Sequence, residues 1–351
     1  MAGTKRIERS VISEPSEQRI ELCGATGNNL KGVDVEFQLG RLNCVSGVSG
    51  SGKSTLVYHT LAPAIKQHFD LVTSAPEPYT EIKGLQQLDR FVEVDQRPIS
   101  RNPRGCAATY TGVFEDIRKL FAATKSAKQL GFGASRFSFN TKQGWCTDCE
   151  GHGEKRISMK FMPDVHVACE TCRGNRFNAQ TLSVRFADLN IAEVLSLQVS
   201  QALDYFSEFS EIHRRIQALE DVGLGYLTLG QRSSTLSGGE AQRIKLAAGL
   251  AKTHLGHTLY LLDEPTTGLH FHDVQLLLDV LGKLVAEQNT VIVIEHHMDI
   301  IRCSDWIVDI GPEGGDAGGR VVVTGSAATV AAKKESHTGR CLRELENQVE
   351  M

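Results

Sequence analysis

Residues 47–54 read Gly-Val-Ser-Gly-Ser-Gly-Lys-Ser, the most informative segment for predicting the fold. It fits the pattern G-x-x-x-x-G-K-[ST], in which glycines let backbone N–H groups wrap phosphate oxygens at the start of a helix. Residues 41–46 before it are β-prone and residues 53–66 after it are helical in character, with Pro63 a disturbance near the end. We therefore predict a phosphate-binding loop between a strand and a helix, with the nucleotide contacted by Gly47, Gly50, Gly52, Lys53, Ser54 and Thr55. In this pattern the lysine reaches the β- and γ-phosphates and the first hydroxyl binds Mg²⁺.

A second motif follows about 200 residues later, where residues 259–264 read Leu-Tyr-Leu-Leu-Asp-Glu. The four apolar residues predict a buried strand, and residues 291–294 and 306–310 predict further strands. An apolar strand that ends in Asp-Glu is common by itself, but here it accompanies the loop and is followed by Pro-Thr-Thr-Gly. We predict that Asp263 holds Mg²⁺, directly or through water, and that Glu264 polarises the attacking water.

Two further side chains are candidates for the reacting end of the nucleotide. His296 follows an apolar strand and fits a switch histidine that contacts the γ-phosphate, although His297 beside it competes for the role. Gln96, in a Val-Asp-Gln-Arg-Pro segment, fits a loop glutamine that senses Mg²⁺ and the attacking water. We predict Glu264, His296 and Gln96 as the catalytic residues.

Residues 236–240 read Leu-Ser-Gly-Gly-Glu and are the segment most specific to one class. A hydroxyl and bare N–H groups at a helix start make an anion site, yet the chain already has a loop for its own nucleotide. The residues fit the signature of ABC ATPases, which acts on the γ-phosphate held by an opposing unit, with Ser237, Gly238, Gly239 and Glu240 as its members. The alternative is a simple helix cap of the capping-box kind.

Four of the nine cysteines form two pairs with the spacing C-x2-C-x19-C-x2-C. Such knuckles can bring four thiolates, from Cys146, Cys149, Cys169 and Cys172, into tetrahedral geometry around one Zn²⁺. Four cysteines leave no open position, so the metal would be structural. A redox-active pair is the alternative, and the other five cysteines have no metal-binding spacing.

The charge is uneven, with 14 Lys or Arg against 7 Asp or Glu between residues 97 and 177 in a chain of net charge −4. This basic middle favours a local surface for a polyanion over a general nucleic-acid coat, although a solvated face with scattered charges would look the same. Because no apolar run approaches the roughly 20 residues needed to span a bilayer, we expect a cytoplasmic protein without membrane contact.

The motifs divide the chain into five parts. We expect a flexible leader (1–16), the first part of an ATP-binding lobe (17–95), and an inserted signature lobe (96–255) with the zinc module at about 140–180. The second part of the ATP-binding lobe (256–335) and a C-terminal tail (336–351) complete the chain. The predicted fold class is α/β, an ABC-type P-loop ATPase core with an inserted signature lobe that carries a four-cysteine zinc module.

In this combination and order, the motifs resemble the UvrA family of bacterial nucleotide excision repair, more narrowly the C-terminal of its two ABC halves. Similar segments include Thr-Tyr-Thr-Gly around residue 110, Arg-Phe-Ser-Phe-Asn at 136–140 and Asp-Ile-Gly-Pro-Glu-Gly-Gly at 309–315. The match runs from about residue 18 to 335, and transport ATPases lack the zinc insertion.

The resemblance implies an ATPase that uses ATP, Mg²⁺ and Zn²⁺, dimerises, and loads onto damaged double-stranded DNA. It implies that the zinc module lies near the DNA-contacting surface, and that the site passes to UvrB. The family's usual chain has two ABC halves, with the UvrB-binding domain in the N-terminal one, whereas this sequence has one set of motifs. The expected partner is therefore a second copy or an N-terminal-half chain; UvrB is a candidate whose binding domain this sequence does not contain.

Two other functions fit part of the pattern. A transport or antibiotic-resistance ATPase subunit would share the nucleotide motifs, and a non-catalytic DNA-binding half would need its partner to complete a site. Salt-dependent DNA binding separates the two repair hypotheses from the transport hypothesis, and ATPase activity without an added partner separates an ATPase from a non-catalytic half.

Overall fold

The computed structural model describes residues 7–9, 11, 14, 16–95, 97–100, 102–159, 162–251 and 256–347. Its strands are β1 (Arg19–Ala25), β2 (Val33–Gln38), β3 (Leu42–Ser46), β4 (Glu81–Lys83), β5 (Arg90–Val94), β6 (Glu154–Met159), β7 (Met162–Ala168), β8 (Arg185–Phe186), β9 (Leu189–Asn190), β10 (Thr258–Asp263), β11 (Thr290–Ile294), β12 (Trp306–Gly311) and β13 (Arg320–Gly325). Its α-helices are α1 (Ala62–His68), α2 (Ala107–Tyr110), α3 (Val113–Ala123), α4 (Lys125–Gln129), α5 (Ala179–Leu182), α6 (Ile191–Ser196), α7 (Val199–Tyr205), α8 (Ser210–Asp221), α9 (Gly238–Leu250), α10 (Phe271–Ala286), α11 (Met298–Arg302), α12 (Ala327–Ala332) and α13 (His337–Asn347).

The described residues form two compact units, one from Met1–Asp95 with Thr253–Met351 and the other from Gln96–Lys252. The first unit is built on a sheet of order β13-β12-β3-β11-β10-β5. Every neighbouring pair in it is parallel except β12 and β13. The α/β class expected from the sequence is thereby confirmed.

A second, antiparallel sheet of order β2-β1-β4 belongs to the same unit. Its inward residues, such as Leu22 and Phe37, share one core with Val45, Ile294 and Leu261 of the central sheet. The helix after the loop also packs here: a π-helical segment, Thr55–Leu61, continues directly into α1. Pro63 lies near the start of α1 inside this continuous helix, and the carbonyl of His59, four residues earlier, accepts from the N–H of Glu77 at 2.7 Å instead.

Described residues near both ends of the first unit make specific contacts within it. Ile7 is buried, and Arg9 forms an ion pair of 2.9 Å with the buried Asp305; the flexible leader expected over residues 1–16 stays a prediction. The tail contains the helix α13, and Ser336 just before it donates to the buried carboxylate of Asp309 at 2.7 Å. Both sets of contacts join residues that are apart in sequence, which local composition does not show.

The second unit packs short helices around aromatic rings. Phe114 stacks on Phe139 with centroids 5.0 Å apart, and Phe139 meets Phe177 edge-on at 6.0 Å. These rings lie beside the cysteine region, where the chain forms the antiparallel hairpin β6–β7. In the part of the chain that the structure describes, no helix is long and apolar enough to cross a membrane.

Candidate nucleotide and metal sites

The loop after β3 requires glycine at its first position. Gly47 has φ 133°, and a Cβ there would lie 1.9 Å from the carbonyl oxygen of Ile310. Lys53 Nζ donates to the carbonyl oxygens of Gly47 and Val48 at 2.9 and 2.8 Å, so the ammonium lies against the loop. Burial lowers the pKa of Lys53, and Glu264 and Asp309 oppose that shift. The side chain is thus held at the site as a poorly hydrated cation that suits a phosphate.

A second glycine-rich segment, residues 311–319, holds the loop from outside. The N–H of Gly315 donates to Gly50 O at 3.0 Å, and the N–H of Gly319 donates to Ser51 O at 3.0 Å. Asn29 Nδ2 also donates to Gly50 O at 3.0 Å. The sequence showed this segment only as part of a family resemblance. The fold shows that it stabilises the phosphate-binding loop through these hydrogen bonds.

The predicted hydroxyl ligands differ in their surroundings. Ser54 is exposed at the start of the π-helical segment, whereas Thr55 is buried. The Oγ1 atom of Thr55 accepts a hydrogen bond of 3.2 Å from Asn28 Nδ2. Ser54 is accordingly the better placed of the two to reach a metal ion, and both assignments stay predictions.

The carboxylates reach the same edge because the strands are parallel and in register. Asp263 pairs with Ile294, and Ile294 pairs with Val45, so β10, β11 and β3 end side by side. Burial raises the pKa of Asp263, and the neighbouring charges of Glu264 and Asp95 raise it further. A cation at this edge would offset the clustered negative charge, so the carboxylates favour the binding of Mg²⁺ here.

Glu264 and His296 face each other across the ends of β10 and β11. His296 Nε2 lies 3.6 Å from Glu264 Oε1, and both side chains are about half exposed, at 47% and 46%. Burial and the charge of Lys53 lower the pKa of His296, while Glu264 and Glu295 oppose the shift. His297 instead faces Asp299, with Nδ1 and Oδ2 3.9 Å apart. The geometry favours His296 over His297; Gln96, the third predicted catalytic residue, lies outside the described residues.

Glu295 is a residue of this edge that sequence reasoning missed. It is only 1% exposed, and one of its oxygens accepts from the backbone N–H groups of His296 and His297 at 2.8 and 3.1 Å. The available signal was a carboxylate directly after five buried residues of an apolar strand, since such a group must find hydrogen-bond donors.

The predicted signature begins the helix α9 in the second unit. Ser237 is its N-cap: the hydroxyl accepts from Glu240 N at 3.2 Å, and Glu240 Oε2 accepts from Ser237 N at 2.7 Å. Tyr226 donates to the other oxygen of Glu240 at 2.7 Å. Burial works against ionisation of Glu240, but the hydrogen bonds from Ser237 and Tyr226 lower its pKa. The structure therefore contains the capping box that the sequence offered as an alternative, and Ser237 and Gly238 are exposed.

The four predicted metal-binding cysteines converge in the second unit. All four are buried, and their sulfur atoms lie within 4.8 Å of one another. Cys146 and Cys169 are 4.0 Å apart, and Cys149 and Cys172 are 3.6 Å apart. A tetrahedral zinc with Zn–S bonds of about 2.3 Å needs sulfur separations of about 3.8 Å, so the donor set fits Zn²⁺.

Hydrogen bonds from neighbouring residues orient the thiols and the turns that carry them. The N–H of Gly153 donates to Cys149 Sγ at 3.1 Å, and Asp148 accepts from Thr171 at 2.8 Å and pairs with Lys155 at 2.9 Å. Burial raises the pKa of Cys149 to about 12, so its thiolate needs a cation beside it. A closed four-sulfur site of this kind favours a structural metal over redox chemistry.

Three features define the class of ABC-type P-loop ATPase folds: a P-loop, an apolar strand of a parallel sheet that ends in Asp-Glu, and an inserted unit whose helix begins Ser-Gly-Gly-Glu. Comparison with known proteins narrows the class, although no family model matches the chain. UvrABC system protein A of Neisseria meningitidis is 49% identical over 341 residues, which cover 95% of this chain and 36% of that protein. The Streptococcus pyogenes protein is 51% identical over 341 residues, with the same coverage.

Solved structures agree with the sequence relatives. The crystal structure of UvrA2 from Deinococcus radiodurans matches 97% of this chain and 41% of that one, with TM-score 0.90 and 48% identity. The chain is therefore homologous to UvrA, and it spans about a third of the length of the curated relatives it matches. The alternative of a transport or antibiotic-resistance subunit is not favoured.

Proposed function

We propose that the chain binds ATP with Mg²⁺ at the carboxyl edge of its parallel sheet and hydrolyses it, coupling the cycle to DNA binding in UvrA-type repair. The observation that carries the proposal is the pairing of Glu264 with His296 at 3.6 Å at that edge. Lys53 stands close enough to act electrostatically on both side chains. A cation and a residue that orients the attacking water are groups that phosphoryl transfer uses, and the histidine lies beside both.

Each residue has a distinct part in the proposed reaction. The loop's N–H groups and Lys53 bind the β- and γ-phosphates, and Ser54 and Asp263 hold Mg²⁺ directly or through water. Glu264 orients and polarises the attacking water, and His296 contacts the γ-phosphate as charge develops on it. Catalysis then comes from positioning and from electrostatic stabilisation of the transferred group.

The signature completes a nucleotide site in a second chain. Ser237 and Gly238 are exposed at the start of a 13-residue helix, where N–H groups and the helix dipole favour an anion. Two chains arranged head to tail would each complete the other's site, as a closed two-fold dimer allows. The partner is a second copy or an N-terminal-half chain.

DNA binding is proposed for the second unit. Its exposed basic side chains include Lys119, Lys125, Lys128, Lys142, Lys155 and Arg173. Such groups neutralise phosphates without reading sequence, which suits recognition of lesions by shape and deformability. The named relatives are components of a UvrABC system, and transfer of a damaged site to UvrB is a further proposal about the chain's partners.

Phosphate release and DNA binding by the purified chain test the proposal together. We expect ATP- and Mg²⁺-dependent phosphate release, and affinity for duplex DNA that falls steeply as salt rises and is higher for damaged duplex. Release only after an N-terminal-half chain is added would favour the non-catalytic half that needs a partner. No release under either condition would contradict the ATPase proposal.

A further inference from the structure

Glu295 is a buried carboxylate that joins two turns of the proposed ATPase edge. Its Oε1 accepts from the N–H and the hydroxyl of Thr266 at 2.9 and 2.7 Å. Its Oε2 accepts from the N–H groups of His296 and His297 at 2.8 and 3.1 Å. Every one of these donors belongs to a segment that directly follows β10 or β11.

The anchored turns carry the two facing side chains of the site. Thr266 comes two residues after Glu264, and His296 is adjacent to Glu295 itself. Glu295 is also tied to the phosphate-loop strand, because its own N–H donates to Val45 O at 3.2 Å. One residue therefore links the general-base turn and the histidine turn to the strand that leads into the loop.

We propose that Glu295 is a positioning residue: its carboxylate sets the separation and orientation of Glu264 and His296, and so controls the hydrolytic step. The inference rests on the proposed ATPase function of this edge. Glu295 itself does not touch the reacting atoms; it acts through the turns that hold them.

The full carboxylate is needed because each of its oxygens serves two donors. Glutamine has one carbonyl oxygen and an NH₂ group that cannot accept a hydrogen bond. If the amide oxygen keeps the two histidine N–H groups, the NH₂ group must face Thr266, where the hydroxyl can turn to accept but the N–H loses its partner. Glu295→Gln therefore releases one turn while it nearly preserves side-chain volume.

The decisive experiment measures ATP affinity and single-turnover hydrolysis for the wild-type full chain, Glu295→Gln, Thr266→Val and Thr266→Ser. We expect Glu295→Gln to hydrolyse about 10- to 100-fold more slowly, because small misplacements of reacting groups cost this much, with ATP affinity changed less than about twofold. Thr266→Val removes one hydrogen bond and should slow hydrolysis about fivefold, and Thr266→Ser should lose less. Glu287→Gln is the matched control, since it removes an exposed carboxylate near the opposite end of β11.

A second measurement separates positioning from a general effect on stability. NMR of labelled histidine follows the titration of His296, whose neighbouring charges are Lys53, Glu264 and Glu295. Removing the Glu295 charge should lower the pKa of His296 further, and Glu287→Gln should leave it unchanged. A wild-type rate of hydrolysis together with an unaltered His296 titration in Glu295→Gln would overturn this inference and leave the proposed ATPase function standing. Absence of hydrolysis in the wild-type chain would instead overturn the proposed function.

Discussion

The nucleotide edge and the cysteine module reach their geometry by opposite routes. At the edge, the strands β3, β11 and β10 are almost wholly buried, and backbone register places Lys53, Asp263 and Glu264. In the module, the hairpin β6–β7 exposes Ile157, Met159 and Val167 to solvent. Its two knuckles are joined by the pairing of β6 with β7, by the hydrogen bond of 3.0 Å from Cys169 N to Gly153 O, and by the convergence of the four thiols.

The difference identifies what each region depends on. The edge is built on buried apolar strands, so its sheet should stay folded when a single polar group changes, even where Glu295→Gln releases one of its turns. The module gathers four buried sulfur atoms within 4.8 Å of one another, and burial raises the pKa of Cys149, so its order should depend on a bound cation. Changes in one region should therefore leave the other intact, and the variants below test that independence.

The largest expected effect is on the rate of hydrolysis. Glu264→Gln removes the base that polarises water, so turnover should fall by about 10²–10⁴-fold while ATP binding persists. Phosphate release and nucleotide binding measure the two quantities, and zinc content should not change. Wild-type turnover in this variant would show that Glu264 is not the base.

Lys53→Ala should produce the next largest effect, on ATP affinity. It removes the cation that lies against Gly47 and Val48, and charge-assisted hydrogen bonds of this kind contribute about 1.5–3 kcal/mol, or roughly 10- to 150-fold in affinity. Titration with a fluorescent ATP analogue measures the change. Lys83→Ala, at an exposed position on β4, is the control and should bind like wild type.

In the cysteine module, Cys169→Ser removes a fully buried thiol of the predicted zinc site. We expect the wild-type chain to contain one zinc and the variant to lose it, because a tetrahedral site with three thiolates binds far less tightly. Metal analysis and limited proteolysis of residues 140–180 report the loss. ATP affinity should change less than about twofold, whereas preference for damaged DNA should fall; equal losses in both would argue against independent regions.

The sequence predicted the edge better than the module. Strand–loop–helix order around Lys53 and the apolar strand before Asp263 carry local signals, and the structure brings both to one edge of the sheet. The antiparallel sheet β2-β1-β4 carried none, because it depends on pairing between distant segments; at Glu295 the local signal was a carboxylate after a buried strand, but its contact with Thr266 depends on the fold. The cysteine spacing predicted a cluster, but not the exposed hairpin between its halves, since residues 150–168 show no turn signal strong enough to place it.

The smallest effect concerns the backbone of the loop. Gly47→Ala should destabilise the chain by about 1–3 kcal/mol more than Gly32→Ala, because both positions have positive φ but only Gly47 would place a Cβ against a backbone carbonyl. Chemical denaturation compares the two variants. Equal stability would mean that the loop adjusts more freely than its contacts indicate.

If the nucleotide edge of one chain and the signature of another form one ATPase site, two defective chains should restore activity when they are mixed. Lys53→Ala impairs the phosphate loop but keeps the wild-type signature, and Ser237→Arg impairs the signature but keeps the wild-type loop. Each variant should therefore be inactive alone. In an equal mixture that associates at random, about a quarter of the composite sites carry both wild-type elements. We predict recovery of about that share of wild-type ATPase activity; no recovery, with wild-type activity that stays proportional to protein at high dilution, would contradict the composite site.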